Sequence, residues 1–190
     1  MIKKLIPDYY YNSIDDIPFT KLYEEGYRLI LTDLDNTIVS YKVLDPTDES
    51  HEFKSKLEDI GFEVIIVSNS KKDRVDRFAN ELKLPYVKYA MKPLKKGYNR
   101  AIKKVASRKY TKNEIITIGD QIMTDVFGSK RLKLTTILVK AIDRKTEVWT
   151  TRFNRKMERF FIKRIKNKMP NIYKEKLEEY VGDTYDSKEM

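Results

Sequence analysis

Residues 28–37 read Arg-Leu-Ile-Leu-Thr-Asp-Leu-Asp-Asn-Thr. The segment Arg28 to Thr32 is short and rich in aliphatics, which predicts a buried strand. It runs straight into Asp33 and Asp35. In an extended chain, residues two apart project to the same side, so the two carboxylates meet while Leu34 points back to the core. Two uncompensated carboxylates at the end of an apolar strand are costly, and a bound cation or a shared proton relieves the repulsion. The C-terminal end of a strand is also where open α/β sheets bind their ligands.

Working outward, four further runs read as strands: Glu63 to Ser68, Pro85 to Ala90, Glu114 to Gly119 and Thr135 to Val139. Between them lie stretches with apolar residues at helical spacing, over His51–Ile60, Lys72–Leu82, Leu94–Ser107 and Met123–Leu132. This alternation predicts an α/β fold with a parallel sheet of about five strands and crossover helices. Residues 1–27 form a lead-in. Each strand end carries polar chemistry: Ser68-Asn69-Ser70 after the second, Lys92 after the third, and Gly119-Asp120 with Asp125 after the fourth. A hydroxyl, an amide, a lysine and two more acids thus converge on one rim of the sheet.

Composition bounds the chemistry. The chain has 190 residues and no cysteine, which excludes disulfides, Cys-ligated metal and thiol nucleophiles. Its one histidine, His51, excludes His-rich metal sites and reads as structural. The start, MIKKLIPD, lacks the apolar stretch of a signal peptide, and a cytoplasmic location, with peripheral membrane contact as an option, is the expectation. Lys and Arg number 39 against 29 Asp and Glu, a formal net charge of +10, which suggests an anionic partner. The excess is concentrated: residues 152–168 carry eight basic residues and one acid, while residues 169–190 are net acidic. A division into a 1–150 core and a 151–190 helical extension, basic then acidic, is expected.

The four motifs together resemble the haloacid dehalogenase (HAD) superfamily of phosphotransferases: Asp33-x-Asp35-x-Thr37, Ser68, Lys92, and Gly119-Asp120 with Asp125. The resemblance implies a three-layer Rossmann-like fold and a phosphatase. It implies that Asp33 is the nucleophile, forming an aspartyl-phosphate, and that Asp35 is the general acid and base. It implies Mg²⁺ held by Asp33, the Asp35 main chain and Asp120, with Asp125 and Thr37 in support. Ser68, Asn69 and Lys92 would bind the phosphoryl oxygens.

The segments Thr37–Glu63 and Ser68–Lys92 are too short for a cap domain, so an open site and a bulky substrate are expected. Around Thr151–Ile165, Phe153, Met157, Phe160, Phe161 and Ile165 share one helical face, with cations opposite. Such a helix can lie on an anionic membrane or pack its apolar face on the domain. The capless layout and the Thr151-Arg-Phe-Asn-Arg-Lys-Met-Glu-Arg segment are similar to the YqeG family of class IIIA phosphatases, related to phosphatidylglycerophosphatases. That implies a phosphomonoester on an anionic lipid as substrate. A phosphatase of nucleic-acid ends or nucleotides, or a non-enzymatic RNA- or ribosome-binding module, are the alternatives, with nucleic acid the less favoured partner.

Overall fold

A computed structural model describes residues 2–71, 73–105, 108–147 and 149–185. Six parallel strands form one sheet: β1 (Tyr9–Tyr11), β2 (Leu29–Thr32), β3 (Glu63–Val67), β4 (Tyr86–Val87), β5 (Ile115–Gly119) and β6 (Thr135–Val139), in the order β1-β6-β5-β2-β3-β4. The central strand β2 is fully buried and lies between β3 and β5, in register Leu29 with Glu63 and Ile115. Burial on both faces is what its unbroken aliphatic run requires.

The sixth strand comes from the lead-in, where the sequence gives no aliphatic run. Three half-buried tyrosines pair with Ile137–Val139 instead. What pins them is Asp8. Its Oδ2 accepts from the Thr136 amide at 2.8 Å, and its Oδ1 pairs with Lys130 at 2.5 Å.

The helices are α1 (Phe19–Glu24), α2 (Asp48–Ile60), α3 (Asp73–Glu81), α4 (Lys95–Lys104), α5 (Phe127–Lys130), α6 (Trp149–Lys168), α7 (Pro170–Lys176) and α8 (Glu178–Thr184). Thr47 and Ser50 build a reciprocal cap at the start of α2, and Gly61 ends it in the left-handed region. The helix expected over Lys72–Leu82 is α3, and the one over Leu94–Ser107 is α4; Lys72, Ala106 and Ser107 lie outside the described residues. Over Met123–Leu132 the regular helix is replaced by a π-helical turn at Ile122–Val126 that leads into α5.

The C-terminal segment splits the apolar face read from its sequence, with Ile165 docked and Phe153 and Phe160 outside. It does not bury the Phe153–Phe160 side of α6. The docked side carries Arg155, Glu158, Ile162 and Ile165, and Phe153 and Phe160 face outward. Periodicity grouped Phe153, Met157, Phe160, Phe161 and Ile165 on one face and left open whether it meets a membrane or the domain. It cannot foresee that two opposite charges, Arg155 and Glu158, will neutralise each other inside and that Ile165 will dock beside them. Within the acidic stretch after Met169, Pro170–Lys176 and Glu178–Thr184 are helical and residues 186–190 lie outside the described residues; Tyr173, Leu177, Tyr180 and Val181 pack with Leu5, Ile6, Ile162 and Ile165.

Close approach fixes α4 against the segment that carries Lys92. A Cβ on Gly97 would lie 2.2 Å from the Ala90 carbonyl oxygen, a main-chain atom that cannot swing aside. Gly97→Ala is expected to cost about 1–3 kcal/mol of stability, as overpacking does. A urea midpoint equal to that of the unmodified chain would contradict this packing.

Candidate active site

The strand ends deliver the site. The β2 strand gives way to a tight turn in which the Ile38 amide bonds the Leu34 carbonyl at 3.1 Å and the Asn36 amide bonds the Val39 carbonyl at 2.7 Å. Asn36 holds a φ of 62°, a left-handed geometry that asparagine tolerates better than most residues. The turn leaves Asp33 and Asp35 at the mouth of a cleft of about 360 Å³, shared with Ser68, Asn69 and Lys92.

Asp33, Asp120 and Asp125 are all buried and each offers a carboxylate oxygen within 4.8 Å of the others. Asp33 comes from the end of β2 and Asp120 from the end of β5. Asp125 sits on the π-helical turn, whose extra residue swings it back over the strand end. Gly119 makes that approach possible: a Cβ there would lie 2.4 Å from Asp125 Cγ. Lys92 bridges two of the acids, with Nζ 2.8 Å from Asp33 Oδ1 and 2.7 Å from Asp125 Oδ1. Burial acts to lower the Lys92 ammonium, but Asp125 and Asp33 outweigh it and hold the group well above its usual range.

Asn69 explains where Lys92 sits. Its Oδ1 accepts from the Lys92 amide at 2.6 Å, and its Nδ2 donates to the Lys92 carbonyl at 3.0 Å. The amide therefore grips the lysine's main chain from both sides. Ser68 is buried beside it, its Oγ accepting from the Ser70 amide at 3.1 Å. Thr37 is buried in the β2 turn, and its Oγ1 has no hydrogen-bond partner.

Four charged participants gave no sequence signal: Arg74, Glu147, Arg155 and Glu158. Arg74 on α3 pairs with Asp35 Oδ1, and donates to the Val43 and Ser40 carbonyls, tying the acid to the loop before α2. Arg155 reaches Asp120 from α6: Nη1 donates to the Asp120 carbonyl at 2.8 Å and Nη2 to Oδ2 at 2.5 Å. The same guanidinium bonds Glu147 Oε1 at 2.9 Å and Tyr180 Oη at 3.1 Å. Glu158, next to it, accepts from the Ile122 amide at 2.9 Å and from Tyr180 and Tyr185. Apart from Arg155 with Glu147, eight residues apart, each contact joins residues far apart in the chain, so no local pattern encodes it. The cleft wall likewise includes Glu147, Thr150, Thr151 and Asn154, so α6 flanks a site that the sequence reading left open on that side.

The acidic group fits a divalent metal. Its donors are all carboxylate oxygens, the ligands that hard cations take. Asp120 Oδ2 is satisfied by Arg155, yet Oδ1 is buried without a partner, a costly state that a cation relieves. Burial, followed by the neighbouring acids and against the pull of Lys92, pushes Asp33 up to about 8. Burial, opposed by Arg155 and reinforced by Asp125 and Glu147, pushes Asp120 up to about 7.

The chain matches the family described as "Mitochondrial PGP phosphatase" over residues 2–143. It is 36% identical over 169 residues to the protein named "Probable phosphatase YqeG" of Bacillus subtilis, covering 88% of this chain and 96% of that protein. Two solved structures are similar to part of the chain. YfnB of Bacillus subtilis, solved bound to magnesium, is 14% identical with a TM-score of 0.49, covering 65% of this chain and 91% of that one. The cobalt-bound deoxy-D-mannose-octulosonate 8-phosphate phosphatase YrbI of Haemophilus influenzae is 15% identical with a TM-score of 0.48, covering 63% and 70%.

Two outcomes follow from the geometry. Arg155→Met leaves the carboxylates of Asp120, Glu147 and Glu158 buried without their cation, and should cost about 3–5 kcal/mol in denaturant unfolding; a loss under about 1 kcal/mol would contradict the network. With Asp33 and Asp120 raised, the folded chain holds more protons than the unfolded one above about pH 4. Their contribution to stability therefore falls as pH rises towards about 8. A divalent cation displaces those protons, so its shift of the melting temperature should be larger at about pH 8 than at about pH 6. An equal or reversed shift would count against cation binding at these carboxylates.

Proposed function

The chain belongs to the mitochondrial PGP phosphatase family and is a phosphatase, and on that premise we propose that it is a Mg²⁺-dependent phosphomonoesterase that carries the phosphoryl group on Asp33. The observation that carries this reading is the three-carboxylate cluster with one unpartnered oxygen, whose member Asp33 lines the cleft that also holds Asp35 and Lys92. Asp33, Asp120 and Asp125, with the Asp35 main-chain carbonyl, would hold the cation. When bound, it neutralises charge on the phosphoryl oxygens and so lets one anion approach another.

The residues then divide the work. A carboxylate oxygen of Asp33 attacks phosphorus, and the bond from phosphorus to the leaving oxygen breaks. Asp35 in its acid form gives that oxygen a proton. Arg74 engages only Oδ1 of Asp35, which leaves Oδ2 for the transfer. Water next attacks the aspartyl-phosphate while Asp35, now ionised, takes its proton. The bond from phosphorus to Asp33 breaks and inorganic phosphate leaves. Lys92 and Ser68 bind the phosphoryl oxygens, where negative charge builds up in the transition state. Asn69 contributes through its grip on Lys92, and Thr37 buttresses the turn.

The substrate we favour is a phosphomonoester on an anionic lipid, phosphatidylglycerophosphate above all. The family description supports it, as does the concentration of positive charge on α6 beside the cleft.

Asp33→Asn should abolish Mg²⁺-dependent phosphate release from phosphatidylglycerophosphate with no change in the far-ultraviolet circular dichroism. Asp35→Asn should lower kcat by about 10²–10⁴-fold, the usual worth of a positioned acid–base group. Turnover by the Asp33 variant within tenfold of the unmodified chain would reject the nucleophile.

A further inference from the structure

The outward side of α6 combines exposure, aromatic character and charge. Trp149, Phe153 and Phe160 are 77%, 57% and 58% exposed. At i, i+4 and i+11 they form one stripe along the helix, directly opposite the docked Arg155, Glu158, Ile162 and Ile165. Exposed Arg152, Lys156, Lys163 and Arg164 flank the stripe on both sides. The only acid on the helix, Glu158, is buried and paired, so the outward side is purely cationic.

The stripe is continuous with the mouth of the cleft. Thr150 and Asn154, one residue away from Trp149 and Phe153, line the cleft itself, as does Thr151 between them. The other large apolar side chains exposed among the described residues all lie in loops that follow strand C-termini, on the same end of the sheet as the site. Ile142 and Leu44 are two of them: the Ile142 amide bonds the Asn36 carbonyl at 3.1 Å, and Leu44 follows the Val43 carbonyl that holds Arg74. Single exposed apolar residues mean little, but a group gathered round one cleft marks an interaction face.

We infer that this face seats on an anionic lipid bilayer, with the α6 stripe inserted at the headgroup level and the cleft mouth turned to the membrane. Aromatic side chains backed by lysine and arginine are the composition of helices that lie in an anionic interface. Nucleic acid fits less well: Leu44 and Ile142 have no ring to stack on a base, and the α6 face is convex rather than a groove that tracks a strand. The inference rests on the phosphatase reading of the site and adds how a lipid-borne phosphate reaches it.

Trp149 is the only tryptophan of the chain and reports on its own insertion. Vesicles of phosphatidylcholine with about 30% phosphatidylglycerol should shift its emission to the blue and sediment the protein, and pure phosphatidylcholine should do neither. Phe153→Ser with Phe160→Ser should weaken partitioning by about tenfold or more. Lys156→Gln, Lys163→Gln and Arg164→Gln should each weaken it by about fivefold. All of these variants should hydrolyse p-nitrophenyl phosphate like the unmodified chain, because none of the changed residues lines the cleft. An unshifted Trp149 emission, partitioning indifferent to the substitutions, tighter binding of a single-stranded oligonucleotide, or a dimer that dissociates in the phenylalanine variant would each overturn the inference. Vesicle binding without phosphate release from any monoester would uphold the docking and reject the reaction; release without vesicle binding would do the reverse.

Discussion

Three carboxylates occupy one small buried volume at the ends of β2 and β5, and the rest of the molecule is arranged to tolerate them. Lys92 answers Asp33 and Asp125 from one flank, and Arg155 answers Asp120 from the other. Two cations against three acids, with one Asp120 oxygen left unpaired, is a stable arrangement only if a further positive charge joins it. Much local structure follows from that demand. Gly119 lacks a side chain so that Asp125 can close in, the π turn supplies the residue of slack that lets it do so, and Asn69 fixes the lysine by its main chain.

The same demand gives the C-terminal helices their place. Arg155 would be hard to bury without Glu147, and Glu158 would be hard to bury without Tyr180, Tyr185 and the Ile122 amide. The segment after residue 150 is therefore bonded to the strand end that carries Asp120. It walls one side of the cleft, and its far side carries the aromatic and cationic stripe. One helix thus touches both the site and the surface through which a lipid substrate would arrive.

The site was legible in the sequence wherever its residues are set by their distance from a strand end. Asp33, Asp35, Ser68, Lys92, Asp120 and Asp125 all meet that condition, and they line or adjoin one cleft. So was the parallel sheet, apart from β1, whose tyrosines are held by Asp8 and not by an aliphatic pattern. Arg74, Glu147 and Arg155 stayed hidden among 39 basic and 29 acidic residues, because pairing across 35 or 39 positions leaves no periodic trace. The orientation of α6 stayed open for a related reason. Hydrophobic periodicity treats every charge as solvent-facing, whereas Arg155 and Glu158 satisfy one another and the aromatics are left outside.

The central claim is that the crowded carboxylates serve to load a phosphoryl group onto Asp33. Asp35→Asn removes the base that activates water while leaving an aryl phosphate, which needs little help from an acid, able to donate. Acid-quenched protein from that reaction, digested and weighed by mass spectrometry, should carry one phosphate on the peptide containing Asp33. A peptide without phosphate under turnover conditions, or phosphate on any other residue, would contradict the account.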